Sequence, residues 1–261
     1  MSADDPDGGS PRGWWRSTWP LGRRQWAELG VALVVITTGF TLVGWLLTHT
    51  LAPNPVTRFD ADVADRLVDT RTPTRTDVAD WGATLASTPV KVIASIVLAG
   101  LALALWRRWH EAVLIAVSLT LEATAFVIAS FLVGRSRPDV PRLHDSPVDS
   151  SFPSGHVAAA TVYAAIAVIV FWHTRARLAR TVAVLVFTAI PVVVAWARMY
   201  QGMHYLSDVV AGALLGVVTL AACVVILGPP SVQPEVTRTR PATPDHRSGS
   251  TPVGTAPTRS S

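Results

Sequence analysis

The chain has 261 residues, half of them apolar and only 15% charged, with a mean hydropathy of +0.38. So little charge, set among apolar runs of about 20 residues, excludes an ordinary soluble domain and points to the bilayer. The net charge of +4 and pI near 10.0 do not indicate a nucleic-acid partner, because the arginines lie between the apolar runs and form no single basic face. The one cysteine, Cys223, excludes an intramolecular disulfide and a cysteine-based zinc site.

Residues 1–26 are basic and rich in tryptophan (Trp14, Trp15, Trp19, Trp26), the composition of an interfacial anchor. The first apolar stretch, 27–48, follows a polar lead and is too long for a signal-peptide core. Thr48 to Ala52 also makes a poor cleavage site, so a retained span is expected. In the loop 53–87, Phe59, Val63 and Leu67 recur every four residues and predict an amphipathic helix on the outer surface. Five further stretches are long enough to span, at 88–106, 111–133, 156–173, 179–197 and 208–228. Gly and Pro within several of them are tolerated in spanning helices. Glu122, near the middle of the third span, is a functional candidate because a carboxylate there is costly. Residues 229–261 are rich in Pro, Thr, Ser and Arg and predict a disordered tail. The expected architecture is all-α, a six-helix transmembrane bundle over 27–228. The sequence carries no signal for oligomeric state.

Thirteen Arg and Lys residues fall in the N-terminal segment, the second and fourth loops and the tail, against nine on the other side. Both termini are therefore expected in the cytoplasm, with the first, third and fifth loops outside.

The chemistry-bearing residues gather in those outer loops. The third loop opens on Gly134-Arg135-Ser136-Arg137-Pro138 and closes on Pro153-Ser154-Gly155-His156, and the fifth runs from Arg198 through His204 to Asp208. Arg137 and Arg198 suit paired, charge-assisted bonds to phosphate oxygens. The Ser154-Gly155 turn at a helix start offers N–H groups and a hydroxyl to an anion, with a glycine that permits close approach. Asp208, four residues after His204, shares a helical face with it, so the carboxylate is expected to orient the ring and leave one nitrogen free as nucleophile. His156 is placed to protonate a leaving oxygen and then activate water.

At these residues the chain resembles the type 2 phosphatidic acid phosphatase (PAP2) superfamily, which includes vanadium haloperoxidases. The family pattern is Lys-x6-Arg-Pro, then Pro-Ser-Gly-His, then Ser-Arg-x5-His-x3-Asp. Arg137-Pro138, Pro153 to His156, and Arg198, His204 and Asp208 match it. The resemblance to the membrane branch implies hydrolysis of a lipid phosphate or diphosphate through a phosphohistidine on His204, without metal or other cofactor. Polyprenyl diphosphate, phosphatidic acid and phosphatidylglycerophosphate are the substrates to consider. A lipid phosphotransferase and a non-catalytic lipid-phosphate binder or transporter are the rival readings; retention of both histidines and Asp208 argues against the latter. Two positions depart from the pattern: Ser130 stands at the lysine and Ala197 at the serine before the third-motif arginine. If 135–138 is extended, Arg135 points with Arg137 and supplies the missing cation; on a helix the two would diverge by about 200°.

Overall fold

A computed structural model describes residues 21–50, 54–106, 109–145 and 149–229. The basic N-terminal segment before residue 21, Arg107 and Arg108 of the second loop, and the predicted tail beyond residue 229 lie outside the described residues. Those described form an all-helical bundle in the order α1 (Arg23–Trp45), a π turn (Leu46–Thr50), α2 (Pro55–Asp69), α3 (Pro73–Thr84), α4 (Thr88–Trp106), α5 (Trp109–Val133), α6 (Gly155–Val162), α7 (Ala165–His173), α8 (Arg177–Tyr200) and α9 (Leu206–Leu227). Among the described residues, six helical segments are long and apolar enough to cross a membrane: Arg23–His49, Thr88–Leu105, Trp109–Val133, Gly155–His173, Arg177–Tyr200 and Leu206–Leu227. They overlie the six expected stretches, and the chain is a multi-pass membrane protein. Residues such as Phe131, Leu178 and Val225 stand almost fully exposed on the spans, as lipid-facing side chains do.

The first loop holds two helices where the sequence predicted one. Each starts on a capping side chain followed by proline: Asn54 accepts from the Val56 and Thr57 amides before Pro55, and Thr72 accepts from the Arg75 amide before Pro73. Of the expected stripe on α2, Phe59 is exposed and Val63 and Leu67 are partly buried, whereas Asp60 and Ala64 on the adjacent face are buried against the bundle. An acidic residue is buried here in preference to a phenylalanine because Asp60 has a partner inside.

The fourth and sixth spans make the closest pair. A Cβ added at Gly212 would sit 2.4 Å from the Ser154 carbonyl oxygen, and one at Gly216 would sit 2.5 Å from that of Ala158. Two small residues four apart thus let the backbones meet without intervening side chains. The contact fixes the Ser154 amide on the Asp208 carbonyl at 3.0 Å, so the start of α6 and the start of α9 come to one point.

Candidate active site

The three motif segments converge at that point. The third loop folds back on itself, with the Ser151 amide donating to the Arg135 carbonyl (2.8 Å) and the Ser151 hydroxyl to the Ser136 carbonyl (2.9 Å). The Phe152–Pro153 peptide is cis. This fold-back presents the Ser151 carbonyl to His204 Nδ1 at 2.7 Å. A carbonyl oxygen only accepts, so the proton of a neutral His204 ring sits on Nδ1 and the Nε2 lone pair is left for chemistry. Burial, reinforced by the charges of Arg198 and Arg137, holds the His204 ring well below the ordinary histidine range and keeps it neutral.

The sequence assigned the orienting role to Asp208. Its nearer oxygen is 4.0 Å from Nδ1, beyond hydrogen-bond reach. That oxygen instead accepts from the Tyr205 amide at 2.8 Å, closing the first turn of α9. The residue that holds the ring is Ser151, through its backbone. Asp208 contributes negative charge close by.

Arg135 also departs from expectation. It reaches toward the same loop as Arg137, as residues two apart in extended chain do, but carboxylates occupy its guanidinium. One terminal nitrogen bonds Asp208 and the Ser207 hydroxyl, the latter at 2.7 Å, and the other bonds Asp60 at 2.9 Å. Asp60 further accepts from the Ser207 amide (2.9 Å) and the Ser207 hydroxyl. The guanidinium lies 4.4 Å from the centre of the Tyr205 ring. Arg135 is therefore a clasp joining α2, the third loop and α9, and it is not a phosphate ligand.

Arg137 and Arg198 keep the expected place. Arg137 donates to the Met203 carbonyl and, at 3.3 Å, to the Ser150 carbonyl. Burial and then Arg142 lower its pKa, with Asp208 and Asp149 acting in the opposite sense. Arg198 is buried and donates to Gln201 Oε1 at 3.0 Å, while its Nε has no partner. Gln201 in turn donates to Asp80 of α3 at 2.8 Å. A relay from α3 therefore sets the Arg198 guanidinium. Arg71 fixes the same corner by donating to the Tyr200 and Pro141 carbonyls.

The Ser154 hydroxyl is fully buried and has no partner, so it remains available to an anion. Its amide is already engaged by Asp208. Gly155 is explained by packing: an added Cβ would meet the Phe126 ring at 2.7 Å. His156, in the first turn of α6, lies within electrostatic reach of Arg198, Lys91 and Arg137, and it acts in turn on His204. Sequence reasoning missed Asp60, Asp80, Ser151 and Gln201.

Cavities also open between the spans. One of about 540 Å³ lies between the fourth, fifth and sixth spans, with Val157 and Met199 in its wall and no charged lining residue. The other, of about 390 Å³, lies between the second and third spans and contains Lys91 and Glu122.

The PAP2 superfamily model matches residues 111–229. The fold is similar to that of a transmembrane PAP2 type phosphatidylglycerolphosphate phosphatase from Bacillus subtilis, at 19% identity and a TM-score of 0.62, over 77% of this chain and 94% of that one. It is also similar to LpxE of Aquifex aeolicus, at 22% identity and a TM-score of 0.49, over 62% of this chain and 93% of that one. No curated protein matches the chain in sequence.

Proposed function

We propose that the chain is a PAP2-type, metal-independent lipid phosphatase working through a phosphohistidine, a reading supported by the match of the PAP2 superfamily model to residues 111–229. The observation that carries the reading is the His204 ring: its Nδ1 proton is held by the Ser151 carbonyl at 2.7 Å, its Nε2 is left unprotonated, and the ring lies within electrostatic reach of Arg198, Arg137 and His156. The two guanidiniums hold the phosphate oxygens and balance the charge that builds on them in the transition state. Nε2 attacks phosphorus, the N–P bond forms, and the P–O bond to the lipid breaks with its electron pair going to the lipid oxygen. His156 protonates that oxygen, then takes a proton from water, which attacks the phosphohistidine and releases inorganic phosphate. Asp208 favours the positive charge that develops on the imidazole. The buried Ser154 hydroxyl donates to a phosphate oxygen.

Purified protein treated with a chelator is expected to release phosphate from at least one of polyprenyl diphosphate, phosphatidic acid and phosphatidylglycerophosphate. Release from none of the three, or release only on adding a divalent metal, contradicts the reading.

The arginine asymmetry supports a site on the outer face of the cytoplasmic membrane, with both termini inside. Cys223 is buried and gives no background. In intact cells, a membrane-impermeant thiol reagent is expected to label an Asp145→Cys variant and to spare Ala176→Cys; the reverse pattern places the site in the cytoplasm.

A further inference from the structure

Three guanidiniums gather near the site, and each is held in a different way. Arg135 is met by two carboxylates, Asp60 and Asp208, which cancel its charge. Arg137 donates to the Met203 and Ser150 carbonyls. Arg198 is buried like Arg135, yet among the described residues no carboxylate pairs with it. Its Nη1 donates to Gln201 Oε1 at 3.0 Å, and its Nε has no partner.

The acid in that chain of bonds is Asp80 of α3, and Gln201 stands between it and Arg198. A guanidinium only donates and a carboxylate only accepts. The Gln201 amide therefore has one orientation, with its oxygen toward Arg198 and its nitrogen toward Asp80 Oδ1 at 2.8 Å. Gln201 is 1% exposed and its backbone is fixed on both sides. Its amide donates to the Ala197 carbonyl at 2.9 Å, and its carbonyl accepts from the Leu143 amide at 3.1 Å. His144 of the third loop donates to the same Asp80 oxygen at 2.8 Å. Asp80 thus takes two donors, and neither is Arg198.

Resting on the phosphatase reading above, we propose that Gln201 is a positioning residue that sets the anion affinity of Arg198. It is a neutral spacer, fixing the guanidinium while keeping the Asp80 charge one side chain away. A carboxylate bonded directly to a guanidinium orients it and also neutralises it, as happens at Arg135. An amide oxygen orients it without neutralising it, so the positive charge is left for phosphate oxygens. Glutamate at this position would have nearly the same shape and would compete with phosphate for the same cation.

The test moves the carboxylate while conserving net charge. In Asp80→Asn/Gln201→Glu the new amide at position 80 donates to the new carboxylate at 201, which accepts from Arg198. Affinity for inorganic phosphate is read from the rise of Tm with phosphate concentration in detergent. The kcat/KM is read on whichever of the three lipid classes above the parent hydrolyses. The double variant is expected to bind phosphate about tenfold to a hundredfold more weakly than the parent and to lose kcat/KM by a similar factor. Its Tm without phosphate should stay close to that of the parent. A role in geometry alone predicts recovery, because the chain of bonds is intact, so phosphate affinity within about threefold of the parent overturns the proposal. Gln201→Glu alone covers a double variant that does not fold. At low pH its new carboxyl shares a proton with Asp80 and bonds Arg198 as the amide did; on losing that proton it forms the ion pair. Phosphate affinity, as a ratio to the parent at each pH, should therefore fall by about tenfold or more from about pH 5 to about pH 8. A ratio that stays constant overturns the proposal. A parent whose Tm is indifferent to phosphate, and which releases none from the three lipid classes, overturns the phosphatase reading instead.

Discussion

His204→Ala is expected to reduce phosphate release at least about a thousandfold while the protein still inserts and elutes as the parent does. The ring supplies the atom that bonds to phosphorus, and water cannot take that place without giving up the covalent route. The two guanidiniums and His156 remain in the variant, so substrate binding should persist with little change in affinity, and the loss should fall on kcat. The fold should survive because the bond given up is a single contact to the Ser151 carbonyl. Phosphate release within about tenfold of the parent would remove His204 from the chemistry.

Arg135→Met is expected to act on stability. Its guanidinium is the shared partner of Asp60 and Asp208, both almost wholly buried. Removing it strands two carboxylates, and breaking a buried ion pair from one side costs roughly 3–5 kcal/mol. The measurement is thermal unfolding in detergent, where a large drop in Tm should accompany poor yield. Neutralising the stranded partner in Arg135→Met/Asp60→Asn should recover part of the loss, because the two residues act as one unit. An unchanged Tm with a raised KM for substrate would instead return Arg135 to the phosphate pocket.

The spans were legible because the bilayer demands length and apolarity together, and few soluble segments of this chain satisfy both. Arg137, His156, Arg198 and His204 were legible as a set because their spacing matches a known pattern and they fall on one predicted side. What holds them was not legible, for a different reason in each case. Asp60 and Asp80 sit in a loop with several other acids, and nothing local distinguishes a carboxylate that will be buried from one that will be solvated. Ser151 acts through its backbone carbonyl, which any residue carries. Gln201 is one polar residue among several in the fifth loop, and its relay depends on α3, a helix the apolar periodicity did not announce. The expectation for Asp208 erred because sharing a helical face with His204 gives proximity, and the first-turn amide of Tyr205 competes for the same oxygen.

The stereochemical course at phosphorus tests the covalent mechanism most directly. A lipid phosphate made chiral with oxygen isotopes and sulfur at the transferred group is hydrolysed in isotopically labelled water, and the configuration of the released thiophosphate is read. Two in-line displacements, first by His204 and then by water, predict retention. Inversion would mean that water attacks phosphorus directly, and would contradict a phosphohistidine at His204.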